Sequence, residues 1–371
     1  MKQTLLVKLA PTPDQHAALL RTLEAFNAAC NALAAVAFRE RCANKIELQK
    51  LVYYDIRQQF DLSSQMTIRA ISKVSEAYKR DKKVQPRFRP HGAMVYDERI
   101  ISFPRIDRAS LLTLDGRVEV PFRFGAYAEG MLQRTRGQAD LLYRNDTFFL
   151  AITVDAPEPT PTDTDEFLGV DLGIIQLATT SDGEFLNYSA ASTHGQKHAH
   201  VNQVRARYSR LRQKLQKKGT KSAKRLLRKR SGRERRFAKD VNHCLSKAIV
   251  STAKGTSRGI ALEDLTHIRE RAKQTVTKRH RRVLHSWGFF QLRAFIAYKA
   301  ALAGVGVVYV NPAYTSQTCS AWGHCEQANR KCQSKFLCRS CGFSAHADVN
   351  AAVNIRSRAA VNRPDAAALA G

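Results

Sequence analysis

The sequence predicts a multidomain α/β protein. Three observations carry that expectation: the length, a switch from helical to alternating periodicity near Lys82, and an apolar-poor segment at 157–166 followed by a fresh hydrophobic run. At 371 residues and 44% hydrophobic content the chain is too long for one ordinary core, and suits two large lobes that fold without disulfides. The 61 Lys and Arg against 32 Asp and Glu leave a formal charge of +29. Such an excess calls for a polyanionic partner, nucleic acid first, because cations that displace counterions from phosphates bind them strongly. No run of about 18 apolar residues occurs and the opening MKQTLLVKLAPTPDQ lacks the apolar stretch of a signal peptide, so a cytoplasmic protein without a membrane partner is expected.

Residues 2–10 alternate as a strand. Thr12 then offers a helix cap, Pro13 suits the first helical position, and helical spacing of apolar residues continues to about Lys82. RVEVPFRF, QADLLYR and TFFLAITVDA read as antiparallel strands, which makes the helices an insertion into a β domain begun by the first strand. PEPTPTDTDE marks a linker. Beyond it, FLGVDLGIIQLATTSDGEFLNY reads as a two-stranded hairpin turning at Asp182-Gly183. Residues 200–255 are helical and intensely basic, RGIALEDL returns to a strand, and a helix, the strand VGVVYVNP, a cysteine-rich segment and a last helix follow. The Ala-rich end after Arg358 has little to pack and is expected to be disordered.

Asp171 ends an apolar strand beside Gly169 and Gly173, Glu263 ends the strand GIALE, and Asp348 lies near a helix start. Taken singly, each reads as a cap or a solvated loop charge. Together they suit two-metal phosphodiester cleavage, in which hard carboxylate oxygens converge on two Mg²⁺ ions roughly 4 Å apart. Periodicity alone does not bring them together.

GVDLGIIQLATTSDG, GIALEDL and FLCRSCGFSAHADVNAAVNI resemble the three RuvC motifs of the TnpB family, transposon-encoded proteins related to compact type V CRISPR nucleases. The resemblance extends through KLAPTPDQ, NHCLSKAIVSTAK and YTSQTCS, nearly the whole chain. It implies an RNA-guided, Mg²⁺-dependent DNA endonuclease whose guide RNA pairs with one strand of double-stranded DNA, one or two protein copies sharing an RNA, acting on the nucleoid of a prokaryote. The catalytic, Mg²⁺-binding acids fall by motif match on Asp171, Glu263 and Asp348. Arg330, in ANRKCQSKF, resembles a family arginine that approaches the scissile phosphate, where it would stabilise transition-state charge; a plain phosphate or surface contact is the other reading. The implied fold is an RNase H-like RuvC domain (161–314 and 343–371) with a zinc-knuckle insertion (315–342), plus a β-barrel wedge (1–10 and 83–160) holding a helical recognition lobe (11–82).

Five of the eight cysteines crowd into one segment, which favours a metal site over disulfides. Cys338 and Cys341 form a CxxC knuckle followed by Gly342, a spacing that sets two thiolates at adjacent corners of tetrahedral, structural zinc. The family has a matching CxxC earlier, but here Cys319 is followed by Trp322 where its partner belongs. Cys325 is the preferred fourth ligand, with His324 and Cys332 as alternatives; the competing reading is a degenerate, metal-free knuckle held by Trp322 and Phe336 packing.

The helical stretch Arg205–Lys239 is basic on nearly every face, the pattern of a helix that is solvated or lies against a polyanion. RERAKQTVTKRHRRVLHS is a second basic segment, in the family a mobile lid near the active site. His243 and His285 read as structural, and Trp287, Phe289, Phe290, Phe295 and Tyr298 as helix core. Two other functions stay open: a nuclease-inactive RNA-guided repressor and a DNA transposase using RNase H-fold chemistry.

Overall fold

The computed structural model describes residues 1–133, 136–173, 175–187, 197–265, 288–332 and 334–361. The expected lid, His285, Trp287 and most of the Ala-rich end lie outside these residues. Contacts divide the chain into two compact units, Met1–Pro157 and Glu158–Gly371. None of the described helices is long and apolar enough to cross a membrane.

The first unit opens with β1 (Lys2–Leu9) and α1 (Pro13–Arg39). The Thr12 side chain accepts the Gln15 N–H (3.3 Å) and the Gln15 Oε1 accepts the Thr12 N–H (3.1 Å), a reciprocal cap in front of Pro13. Leu19, Leu23, Phe26, Cys30 and Leu33 line its buried stripe, while α2 (Lys45–Gln59) and α3 (Ser64–Arg80) complete a three-helix layer between the first and second strands of the chain. The strands are β2 (Met94–Tyr96), β3 (Ile101–Arg105), β4 (Arg108–Thr113), β5 (Gly116–Arg123), β6 (Arg136–Tyr143) and β7 (Phe148–Asp155), with α4 (Ala126–Leu132) between β5 and β6. They form one sheet in the order β2-β6-β7-β1-β5-β4-β3. β1 is central, antiparallel to β7 from Lys2↔Asp155 to Lys8↔Phe149. The Tyr96 hydroxyl on β2 donates to the Leu112 carbonyl on β4 (2.9 Å), so the sheet bends until its two ends nearly close.

The second unit is built on β8 (Phe167–Asp171), β9 (Ala178–Thr180), β10 (Phe185–Leu186), β11 (Gly259–Glu263) and β12 (Val307–Val310), ordered β10-β9-β8-β11-β12. β8, β11 and β12 are parallel and β9 and β10 antiparallel. The expected two-stranded hairpin is therefore three strands. The turn at Asp182-Gly183 is present, with Gly183 at φ +84, but it joins β9 to β10; a reversal after Asp171 comes first. The reason is Gly173: a Cβ there would stand 2.6 Å from the Gln176 carbonyl oxygen, so the glycine permits a tight reversal that alternation of apolar residues does not report.

α5 (Lys197–Lys218) and α6 (Lys221–Gly255) form a helical hairpin, Tyr208 meeting Phe237 edge-on (6.0 Å) and Arg212 pairing with Glu234. α6 and α7 (Phe289–Ala303) cover one sheet face over Leu168, Val170, Ile260 and Leu262. His243 stacks on Phe295 (4.1 Å) and its carbonyl accepts from Lys299, a structural role. β13 (Lys335–Leu337) and β14 (Ser344–His346) form a small ribbon before α8 (Ala347–Val361), a helix that continues past Arg358.

α8 covers the other face, over Phe167, Ala261 and Val310. It comes very close at Gly169, where a Cβ would lie 2.1 Å from the Ala352 carbonyl oxygen and 2.8 Å from the Arg356 nitrogen. Gly169→Ala is expected to force helix and strand apart and to destabilise the second unit by at least about 1–3 kcal/mol, the usual cost of overpacking. Gly130→Ala, in α4 with open space around it, is expected to be neutral or stabilising by up to about 1 kcal/mol. Urea denaturation of the two variants checks the contrast.

Candidate active site and cysteine cluster

Strand alternation alone places two of the acids. Phe167 and Gly169 on β8, and Ala261 on β11, face α8, so Asp171 and Glu263, two residues further on each strand, belong to that same face. The register pairs Leu262 with Val170, which leaves the carboxylates side by side at the C-terminal ends of adjacent parallel strands, the edge where open α/β sheets place their ligands. Asp348, in the first turn of α8 and one helical turn before Ala352, is carried to them by the contact at Gly169. It is 5% exposed.

The site is electrostatically crowded. Burial, then the charges of Glu263 and Asp348, push the Asp171 carboxyl up to about 8, against the opposing pull of Arg330. Burial also raises Glu263, offset by the Thr315 hydroxyl that donates to its carboxylate and by Arg358 and Arg330. Arg330 donates from its guanidinium to Asp348 Oδ1 at 3.0 Å. All four sequence-predicted residues thus share one site. A buried carboxyl whose proton affinity is raised by two neighbouring carboxylates suits a hard divalent cation, whose charge relieves the repulsion.

Periodicity missed the residues that hold this arrangement. Asn354 and Asn350, buried on α8, donate to the loop after β12: Asn354 to the carbonyls of Thr315 (2.9 Å) and Thr318 (2.7 Å), and Asn350 to Thr318 (2.8 Å), while Asn350 Oδ1 accepts the Ser320 N–H (3.0 Å). The helix bearing Asp348 is thereby tied to the loop bearing Thr315, the partner of Glu263. Arg293 donates to Asp264 (2.8 Å) and lies 3.8 Å over the Tyr309 ring, fixing the residue after Glu263 to α7. The available signal was the pair of asparagines four apart in an otherwise Ala-rich helix.

The cysteines divide differently from expectation. The ligand atoms of Cys319, Cys338 and Cys341 all lie within 4.8 Å of one another, with the Cys319 and Cys341 sulfurs 3.7 Å apart. Tetrahedral zinc with bonds of about 2.3 Å separates its sulfurs by about 3.8 Å, so the three thiols fit that ion. Cys325, the preferred fourth ligand, is not in the cluster. It is exposed and forms a bridge with Thr318, which fixes it beside the knuckle rather than in it. His324 faces Glu326 (3.1 Å) and Cys332 faces Ser334 (3.8 Å). Phe336 is buried against Cys319, Cys338 and Ala347, whereas Trp322 is 71% exposed and does not hold the knuckle.

Comparison with known proteins finds two family models that match parts of the chain. A model described as a probable transposase, OrfB_IS605, matches residues 149–267, and one described as the Cas12f1-like TNB domain matches residues 289–355. Over these residues the chain is similar to TnpB-like proteins and to Cas12f1. It is 36% identical over 177 residues to the TnpB-like protein MJ0751 of Methanocaldococcus jannaschii, covering 47% of this chain and 61% of that protein. It is 42% identical over 120 residues to the CRISPR-associated endodeoxyribonuclease Cas12f1 of Sulfoacidibacillus thermotolerans, covering 32% of this chain and 26% of that one. The chain thus spans less than two thirds of either relative. A cryo-EM structure of a Cas12f1-sgRNA-target DNA complex shares the fold, with a TM-score of 0.58 at 14% identity over 91% of this chain and 82% of that one. The first family model holds Asp171 and Glu263, the second Arg330 and Asp348.

The raised Asp171 carboxyl makes a pH-dependent prediction. With a folded value of about 8 against an ordinary 3.8, the native state binds the extra proton between these limits. Stability from this group is therefore full below the lower value and lost as pH rises through the upper one. In chelator, Asp171→Asn is expected to melt higher than the parent by a margin that grows from pH 5 to pH 8, seen by thermal denaturation at both.

Proposed function

We propose that the chain is an RNA-guided DNA endonuclease, cutting target DNA beside a short flanking motif at a single RuvC-like site. The observation that carries this reading is the convergence of Asp171, Glu263 and Asp348 with Arg330 at the strand ends of the second unit. The strand order β10-β9-β8-β11-β12, three parallel strands edged by two antiparallel ones, supports an RNase H-like sheet, and the relatives' names supply the nucleic-acid chemistry. In this reading residues 161–314 and 343–371 are the nuclease domain, 315–342 the zinc-knuckle insertion, 1–10 and 83–160 the wedge, and 11–82 the recognition lobe.

Asp171, Glu263 and Asp348 would hold two Mg²⁺ ions, which when bound activate the attacking water and stabilise the leaving oxygen. The chain's own residues do the rest. Thr315 orients the Glu263 carboxylate, and the asparagines of α8 keep Thr315 and Asp348 in one frame. Arg330 is held at the site by Asp348; a phosphate entering there competes for the guanidinium, whose planar fork then stabilises charge developing on the phosphate oxygens. The fit of an A-form guide–target heteroduplex needs basic surface without base reading. α5 and α6 offer it through exposed side chains such as Arg210, Lys214, Lys217 and Arg228. The thiols of Cys319, Cys338 and Cys341 suit structural zinc.

The test is expression with native flanking DNA, sequencing of the copurifying RNA, and challenge of the complex with matching plasmids in Mg²⁺. Cleavage is expected to require both the RNA match and each acid, with Asp171→Ala, Glu263→Ala and Asp348→Ala silent. Arg330→Ala is expected to slow cleavage by about 10²–10³-fold with target binding retained, the scale for removing one transition-state donor. RNA-dependent binding without cleavage in the unaltered protein would instead establish a repressor, and absence of bound RNA would return the case to a transposase.

The basic helices make a separate prediction. Replacing Arg210, Lys214 and Lys217 by Gln is expected to weaken RNA binding and to flatten the slope of log K against log salt by about 0.7–0.9 for each phosphate left without a cationic partner. Titrations at several salt concentrations measure it.

A further inference from the structure

The cysteine segment contains the same backbone loop twice. In the second loop the Cys338 N–H donates to the Phe343 carbonyl (2.8 Å), the Gly342 N–H donates to the Cys338 carbonyl (3.1 Å), and Gly342 stands at φ +74. In the first, the Cys319 N–H donates to the His324 carbonyl (2.9 Å), the Gly323 N–H donates to the Cys319 carbonyl (2.8 Å), and Gly323 stands at φ +79. Even the flanking bridges correspond: Thr318 pairs with Cys325 as Leu337 pairs with Ser344. Both glycines are required by the left-handed backbone, since open space surrounds each.

The two loops correspond position by position, which assigns Trp322 to the place that Cys341 holds in the other loop. The correspondence also explains Cys325. As the counterpart of Ser344 it lies outside the turn that directs thiolates inward, whatever its chemistry. The first loop therefore keeps the conformation of a two-thiolate knuckle although it carries one thiol and an indole, which is no zinc ligand. Among the described residues, no fourth His, Cys, Asp or Glu joins Cys319, Cys338 and Cys341. Cys341 is exposed and Trp322 is 71% exposed, so the side of the cluster where a fourth thiolate would stand faces solvent.

We propose that this knuckle binds zinc through three thiolates and presents a fourth coordination position to solvent, taken by water and exchangeable for a small imidazole or thiolate ligand. Binding releases the three thiol protons and leaves the metal with the open coordination usual for catalytic rather than structural zinc. The loop geometry carries this assignment independently of the nuclease reading.

The test uses the full chain purified under reducing conditions. Metal analysis is expected to give one zinc per chain, and cobalt substitution a thiolate-to-metal charge-transfer band with tetrahedral d–d absorption. Added imidazole is expected to shift the d–d bands of the parent and of Trp322→Ala. In Trp322→Cys, which restores the fourth thiolate, the bands are expected to stay fixed and zinc to resist a competing chelator at least about tenfold better. Parent bands indifferent to imidazole would overturn the proposal by showing a protein-derived fourth ligand, which Cys325→Ala, His324→Ala and Cys332→Ala would then identify. A parent that takes up no metal would overturn it equally. The parent's imidazole titration reads the open position even if Trp322→Cys does not fold.

Discussion

The site depends on a contact between two backbones. α8 rests on β8 where Gly169 has no side chain, with the Ala352 carbonyl oxygen at 2.1 Å from the place a Cβ would take. Helix and strand cannot meet so closely over any other residue, and the separation sets how far Asp348 stands from Asp171 and Glu263. The two strands place their acids by register, a matter of backbone hydrogen bonds. The third acid arrives on an element from the far end of the unit, and its position is only as good as the packing beneath it.

That precision has an electrostatic consequence. Three carboxylates and one guanidinium share a partly buried space in a chain of formal charge +29. The distant positive charge does not relieve the crowding, because solvent screens it over about a Debye length; Arg330 alone opposes the upward push on Asp171. The result is an Asp171 whose ionised form is costly to bury beside two other carboxylates. The asparagines of α8 tie the Thr315 loop to the helix, their amides donating to the Thr315 and Thr318 carbonyls.

The same helix reaches the cysteine cluster. Ala347, the residue before Asp348, packs with Cys319, Cys338 and Phe336, and Asn350 holds the Ser320 N–H inside the first knuckle loop. The cysteine cluster and Asp348 thus meet at one turn of α8. Arg330, from the same cysteine-rich segment, donates to Asp348.

Much was determined by the sequence itself. The capped first helix, four of the strands of the first unit, the three acids at element ends and the thiols of Cys338 and Cys341 all follow from local pattern, because capping, alternation and CxxC spacing are set by residues near one another in the chain. Strand parity even implies that Asp171 and Glu263 share a face once Gly169 and Ala261 are known to face a helix. Three things were not local. The extra strand at 178–180 rests on a reversal permitted by Gly173; the exclusion of Cys325 rests on its bridge to Thr318; and the meeting of Asp348 with the other acids rests on the contact at Gly169. Each is decided by which backbones touch, and a residue pattern records what each element needs to bury without recording the partner that buries it.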